Sequence, residues 1–162
     1  MKKICLVLII LISSLYSNSL GLNTQDIIVL KKIKSLTDDT MMKYTLMALA
    51  IKESSIGKNQ INSASNDYGL FQGNIKSVLR RQKVKDTLFN RRYFAQKLVD
   101  DVGFATANAI IEIEYWQKVH KKNWVKTWAS YNTGWNYTSD TALSYATSVF
   151  DIIKKLKFEY NL

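Results

Sequence analysis

"IKESSIGKNQINSASNDYGLFQ", Ile51 to Gln72, carries the chain from an apolar helical run through a polar loop into a compact aromatic turn. Its acid, Glu53, closes the helical run between apolar residues, with amides, hydroxyls and a tyrosine gathered behind it. Upstream, "DDTMMKYTLMALAIKES" gives the strongest helix signal in the chain. Asp38 or Asp39 can cap it, and Met42, Leu46, Leu49 and Ala50 fall on one apolar side. From Ser54 to Gly69 the residues are mostly Ser, Asn, Gly and Lys, the composition of a loop with room for a short hairpin.

An acid that donates a proton near neutral pH needs a pKa raised above the ordinary glutamate value of about 4.3. Two features act on Glu53 in that direction. It sits at the predicted C-terminus of a helix, where the dipole disfavours a carboxylate. Its neighbours Ile51, Ile56, Leu70 and Phe71 would also strip water from the charged form. Taken alone, the stretch fits an ordinary exposed glutamate at a helix end as well.

Outward from this stretch the pattern stays helical. There is no proline and there are only six glycines, so long helices meet few breakers. "TQDIIVLKKIKSL" repeats apolar residues at helical spacing after a Thr24 or Asp26 cap. Further helices are predicted over 74–82, 86–101, 104–120, 123–131 and 140–157. No repeat, linker or low-complexity tract divides the 162 residues, which are enough for one domain with a real core.

The first segment differs. "MKKICLVLIILISSLYSNS" has two lysines, an apolar stretch and then small polar residues, the layout of a secretory signal peptide. Its apolar part is shorter than the roughly 20 residues of a membrane span. The expected organisation is therefore a leader over residues 1–19 and a single domain over 20–162. Export would place the protein in the periplasm or outside the cell, with no stable membrane insertion after cleavage.

Losing the leader removes the only cysteine, and one histidine remains, so neither a disulfide nor a transition-metal site is expected. Without Lys2 and Lys3 the 23 Lys and Arg fall to 21, against 13 Asp and Glu, a balance of +8. A basic exported protein points to an anionic partner such as cell-wall polymer, membrane surface or nucleic acid. The charges are scattered, as solvated helix faces would scatter them. Neither a helix-turn-helix nor a stacking platform with clustered Arg and Lys stands out for nucleic acid.

Four short motifs, taken in order, resemble one family. "ES" (Glu53-Ser54) is followed after a polar loop by "GLFQ" (Gly69 to Gln72), then by "WASYNTG" (Trp128 to Gly134) and "YATSV" (Tyr145 to Val149). This set resembles the lytic transglycosylases of the lysozyme superfamily, of the soluble-lytic-transglycosylase type. There, a glutamate–serine pair ends a helix and a Gly-Leu-Met-Gln-like turn closes the loop. The Asp67-Tyr68 lead-in looks most like small secretion-associated members. Phe71 stands at the usual Met position, and the proline common after the glutamate–serine pair is missing.

The resemblance implies a mainly α, lysozyme-like fold of the goose-type kind, with an active-site loop or short hairpin. It implies that Glu53 is the catalytic acid and base. Ser54, Tyr68, Gln72, Tyr131, Asn132 and Tyr145 match the substrate-binding positions. Tyr131 corresponds to the tyrosine whose hydroxyl orients the glutamate, and Tyr145 to a further active-site aromatic. A loop serine lining the cleft would be Ser63 or Ser65. The implied partner is the glycan strand of peptidoglycan, together with a secretion or envelope-spanning machine; no cofactor or metal is implied.

The residues support the same chemistry. Ordinary glycosidases flank the bond with two carboxylates, whereas substrate-assisted families use the N-acetyl group of the substrate. The other acid of the loop, Asp67, precedes Tyr68-Gly69 and fits a turn-former that bonds local backbone. With one acid, the resemblance implies cleavage between N-acetylmuramic acid and N-acetylglucosamine with closure of a 1,6-anhydro ring. Trp124 and Trp128, four apart on one helix, are expected in the core. Trp135 and Tyr137 are better placed for a sugar cleft. A hydrolase on the same scaffold, or a wall-binding protein without activity, are the rival readings.

Overall fold

The computed structural model describes residues 19–162, so the leader expected over 1–19 lies, but for Ser19, outside the described residues. Seven α-helices appear among them: α1 (Thr24–Lys34), α2 (Thr40–Ser54), α3 (Ile75–Arg81), α4 (Leu88–Asp100), α5 (Val102–Val119), α6 (Trp124–Thr133) and α7 (Asp140–Phe158). Between α2 and α3 lie three two-residue strands, β1 (Ile61–Asn62), β2 (Asp67–Tyr68) and β3 (Gly73–Asn74), and a 3-10 turn (Gly134–Asn136) follows α6. The fold is mainly α and lysozyme-like, as expected. No described helix is long and apolar enough to cross a membrane.

Polar side chains set the helix starts. Asn23 caps α1 and shares a reciprocal capping box with Asp26. Asp39 caps α2 by accepting from the Met42 amide at 2.6 Å. Asn74, Thr87, Asp101, Asn123 and Ser139 cap the remaining helices in the same way.

α2 departs from its sequence pattern. Met42, Leu46, Leu49 and Ala50 are buried, but so are Thr45, Met47 and Ala48, all without exposed surface. A helix with one apolar face would leave its other side wet; this one is enclosed because α1, α5 and α7 pack around it. Its polar Thr45 is satisfied by the indole of Trp128, which donates to Thr45 Oγ1 at 3.2 Å. Trp128 therefore belongs to the core, with Trp124 packed beside it at 6.0 Å between ring centroids.

The three strands form one antiparallel sheet in the order β1-β2-β3, pairing Ile61 with Tyr68 and Tyr68 with Gly73. The expected loop is thus a small meander folded over the end of α2. Gly69 makes its approach to α4 possible. Its φ is +82°, and a Cβ there would lie 2.2 Å from the carbonyl oxygen of Leu98. Gly73 faces the Leu98 side chain with ordinary space: a Cβ there would stand 3.4 Å from Leu98 Cδ2.

Gly69→Ala is therefore expected to cost at least about 3 kcal/mol through backbone strain and collision. Gly73→Ala should cost less than about 1 kcal/mol, because ordinary contact distances remain. Denaturant unfolding of the two variants measures this contrast, and equal losses would contradict the placement of the sheet on α4.

Candidate active site

The end of α2 is built to turn sharply. Ser55 (φ +52°), Ile56 (φ +59°) and Gly57 (φ +85°) are three consecutive left-handed residues. For β-branched Ile56 that conformation costs about 1–3 kcal/mol. The Ile56 amide closes the turn on the Ala50 carbonyl at 2.9 Å, and the Ile56 side chain is buried in the core. Lys58 reaches back to Asp26 of α1 at 3.1 Å, tying the start of the loop to the body.

Ser54 holds this turn against the next one. Its buried Oγ lies 2.8 Å from the Leu70 carbonyl and 3.2 Å from the Ala50 carbonyl, and it accepts from the Gly57 amide at 2.9 Å. Its hydrogen-bonding capacity is thus spent on backbone. The expectation that Ser54 contacts substrate is corrected: with 1% exposure it reaches no groove.

Glu53 points into a cavity of about 260 Å³. Asp67 and Tyr68 of β2, Gln72, Tyr131 and Asn132 line the same cavity. α3 and α5 supply its far wall through Ser77, Arg81, Asn108 and Glu112. The hydroxyl of Tyr145 on α7 donates to Glu53 Oε1 from the side of the core. Burial raises the Glu53 pKa above its ordinary 4.5; Asp67 adds to the rise, while the Tyr145 bond and Lys52 act against it.

The two tyrosines exchange the roles expected of them. Tyr131 donates to the Phe71 carbonyl at 2.9 Å, so it holds the aromatic turn rather than the glutamate. It is Tyr145 that meets the carboxyl. Burial, and then the nearby Glu53 charge, push both phenols well above the ordinary 10.0, so both remain hydrogen-bond donors.

The remaining expected residues divide. Asn132 and Tyr68 line the cavity. Gln72 also lines it, but its amide nitrogen is engaged by the Gly69 carbonyl at 3.1 Å and the Asn59 carbonyl at 3.3 Å. Ser63 and Ser65 are exposed on the hairpin and do not line this cavity. The hairpin tip carries them outward. Trp135 and Tyr137 also lie off the cavity, packed edge-on against Trp116 and His120 respectively.

Several cavity residues do not stand out in the sequence. Asp67, with the local context of a turn-former, lies on a strand, accepts from Asn74 Nδ2 at 2.8 Å and lines the cavity with Glu53. Across from it, Arg81 pairs with Glu112, which also accepts from the Trp116 indole at 2.8 Å. The four-residue spacing of Asn108 and Glu112, which places both on one face of α5, is the available signal. Among the described residues no three His, Cys, Asp or Glu side chains gather as a metal site.

A buried central helix ending in a desolvated acid, with a small sheet folded over it, defines the lysozyme-like class. The chain belongs to the Transglycosylase SLT domain family, whose model matches residues 32–149. Lytic transglycosylase activity, the cleavage of peptidoglycan, is the activity of that family as a whole. The chain is also similar to an uncharacterized 20.7 kDa protein of the vs-regB intergenic region of Enterobacteria phage T4, 28% identical over 116 residues. That match covers 70% of this chain and 62% of the phage protein. No solved structure matches the chain significantly.

Two outcomes follow from this geometry. Ser54→Ala leaves the Leu70 carbonyl and the Gly57 amide without their partner, for an expected loss of about 1–3 kcal/mol in denaturant unfolding. An unchanged midpoint would show that the clasp is unimportant. Glu53 contributes oppositely to a paired acid. Because its folded pKa lies above the unfolded value, the folded state binds more protons between the two, and stability falls as pH rises through that window. Glu53→Gln should therefore gain stability relative to the parent as pH rises from below 4.5 through the raised value. A stability difference that is flat with pH would oppose the assignment.

Proposed function

We propose that this protein cleaves the β-1,4 bond between N-acetylmuramic acid and N-acetylglucosamine without consuming water. The observation that carries the reading is the environment of Glu53: an acid with a raised pKa at the end of a buried helix, held by Tyr145 at the wall of a cavity. In this mechanism Glu53 protonates the glycosidic oxygen as its bond to C1 breaks. The N-acetyl carbonyl of the substrate stabilises the oxocarbenium-like centre. Glu53, now a carboxylate, takes the proton of the muramic 6-hydroxyl while O6 bonds to C1, which closes the 1,6-anhydro ring. The proton left on the departing sugar is thereby replaced by that of the 6-hydroxyl, and Glu53 returns to its starting state.

Tyr145 has the role of positioning the carboxyl, and Tyr131 that of fixing the turn that faces it. Tyr68, Asn132 and the cavity side of Gln72 are the proposed sugar contacts. The place of action is the bacterial envelope, with residues 1–19 as export signal. An envelope-spanning machine that needs the wall opened for its passage is the proposed setting.

Asp67 favours a second reading. A second carboxyl at the cavity wall could activate water in place of the internal 6-hydroxyl, giving hydrolysis. Mass analysis of digested peptidoglycan separates the two. Anhydro ends, lighter by one water, are the expected product, and reducing ends would identify the hydrolase. Glu53→Gln is expected to lower turnover by about 10²–10⁴-fold, the usual contribution of general acid–base catalysis.

A further inference from the structure

The outer face of α4 is apolar where a surface helix is ordinarily polar. Leu88, Phe89 and Tyr93 are 65%, 77% and 52% exposed. Phe89 and Tyr93, one helical turn apart, lie nearly parallel, with 9° between the ring planes and 6.4 Å between centroids. With Arg92, Gln96, Lys97 and the carboxylates of Asp100 and Asp101 they wall a groove of about 730 Å³. A second groove of about 560 Å³ shares Leu88, Arg92 and Gln96 with the first and is walled toward the sheet by Tyr68. Tyr68 also lines the cavity that holds Glu53.

The grooves therefore form a series that begins at the candidate active site and passes Tyr68 to the exposed rings of α4. We propose that the α4 face is a distal binding surface for the polymeric substrate, engaging glycan and wall peptide remote from the bond being cut. This rests on the reading of the protein as a peptidoglycan-cleaving enzyme. The lining has the chemistry of that ligand. Flat aromatic faces accept the apolar C–H faces of sugar rings, the Arg92 guanidinium meets peptide carboxylates, and the carboxylates of Asp100 and Asp101 accept from sugar hydroxyls and acetamido N–H groups.

A second copy of the chain suits the face less well. Each copy carries a formal net charge of +10, or +8 without residues 1–19, so pairing brings like charges together, whereas a wall polymer with carboxylates brings opposite ones. A purely apolar partner would desolvate the charges of Arg92, Lys97, Asp100 and Asp101 in the same groove. The stretch from Lys76 to Asp101, which matches no motif, thereby gains a role: its first helix walls the active site and its second presents the rings.

The test uses the full chain with Phe89→Ala and Tyr93→Ala combined, placed also in a Glu53→Gln background so that cleavage does not disturb binding. Cosedimentation with purified sacculi reads retention, and turnover is compared on sacculi and on a short tetrasaccharide. Retention is expected to fall by about tenfold, the equivalent of losing one or two aromatic contacts, with tetrasaccharide turnover unchanged. Unchanged retention on sacculi overturns the proposal. So does a concentration-dependent dimer of the parent that the double substitution abolishes, since the face then serves a second copy. Should the double variant melt early, Arg92→Glu supplies the same readout through charge, and undiminished retention there is again decisive against it. Lost retention in a protein that shows no cleavage would leave the surface standing while refuting the enzymatic reading.

Discussion

The buried hydroxyl of Ser54 is the point on which the site depends. A helix that ends in an acid at the edge of the core must leave by a sharp turn, and that turn exposes backbone groups with no helical partner. Ser54 meets three backbone groups at once: the Ala50 carbonyl of its own helix, the Gly57 amide of the left-handed turn and the Leu70 carbonyl of the turn beyond β2. The last contact spans 16 residues and fixes the height of the sheet above Glu53. It also helps hold the strained backbone at Ile56 in place.

The same logic accounts for the four motifs together. Their residues meet in pairs: Ser54 with Leu70, Tyr131 with Phe71 across 60 positions, and Tyr145 with Glu53 across 92. Gln72 ties the aromatic turn to Gly69 and Asn59. Most of what resembles a catalytic signature is thus the framework of a fixed turn. The carboxyl at its centre is one residue of the set, and the rest hold the backbone around it.

This explains which parts of the molecule are legible in the sequence. Helix positions are, because apolar spacing and capping residues are local; the predicted 123–131 and 140–157 segments correspond to Trp124–Thr133 and Asp140–Phe158. The partners of the motif residues are not. Spacing cannot say that Tyr145, rather than Tyr131, reaches the acid, since that depends on how α6 and α7 pack against α2. The place of the loop serines is hidden for a similar reason: polarity shows that Ser63 and Ser65 lie in a hairpin, while its register with Asp67 and Tyr68 decides which side chains face the cavity. Asp67 itself is hidden by its turn-like context.

Acid and base chemistry from a single carboxyl requires that neither protonation state be held too firmly, and the surroundings of Glu53 meet that requirement by opposition. Burial and the charge of Asp67 favour the neutral acid, while the Tyr145 hydroxyl and Lys52 favour the carboxylate. Glu112 adds a further acid to the same cavity, but Arg81 and the Trp116 indole already engage it. Asp67 accepts instead from the Asn74 amide, a neutral donor that does not cancel its charge, and that charge bears on Glu53. Loss of the proton from Glu53 is therefore opposed by burial and by Asp67, while the hydroxyl of Tyr145 is already in place to receive the new charge. In the proposed mechanism, that balance lets one side chain give a proton and take one back within a single turnover.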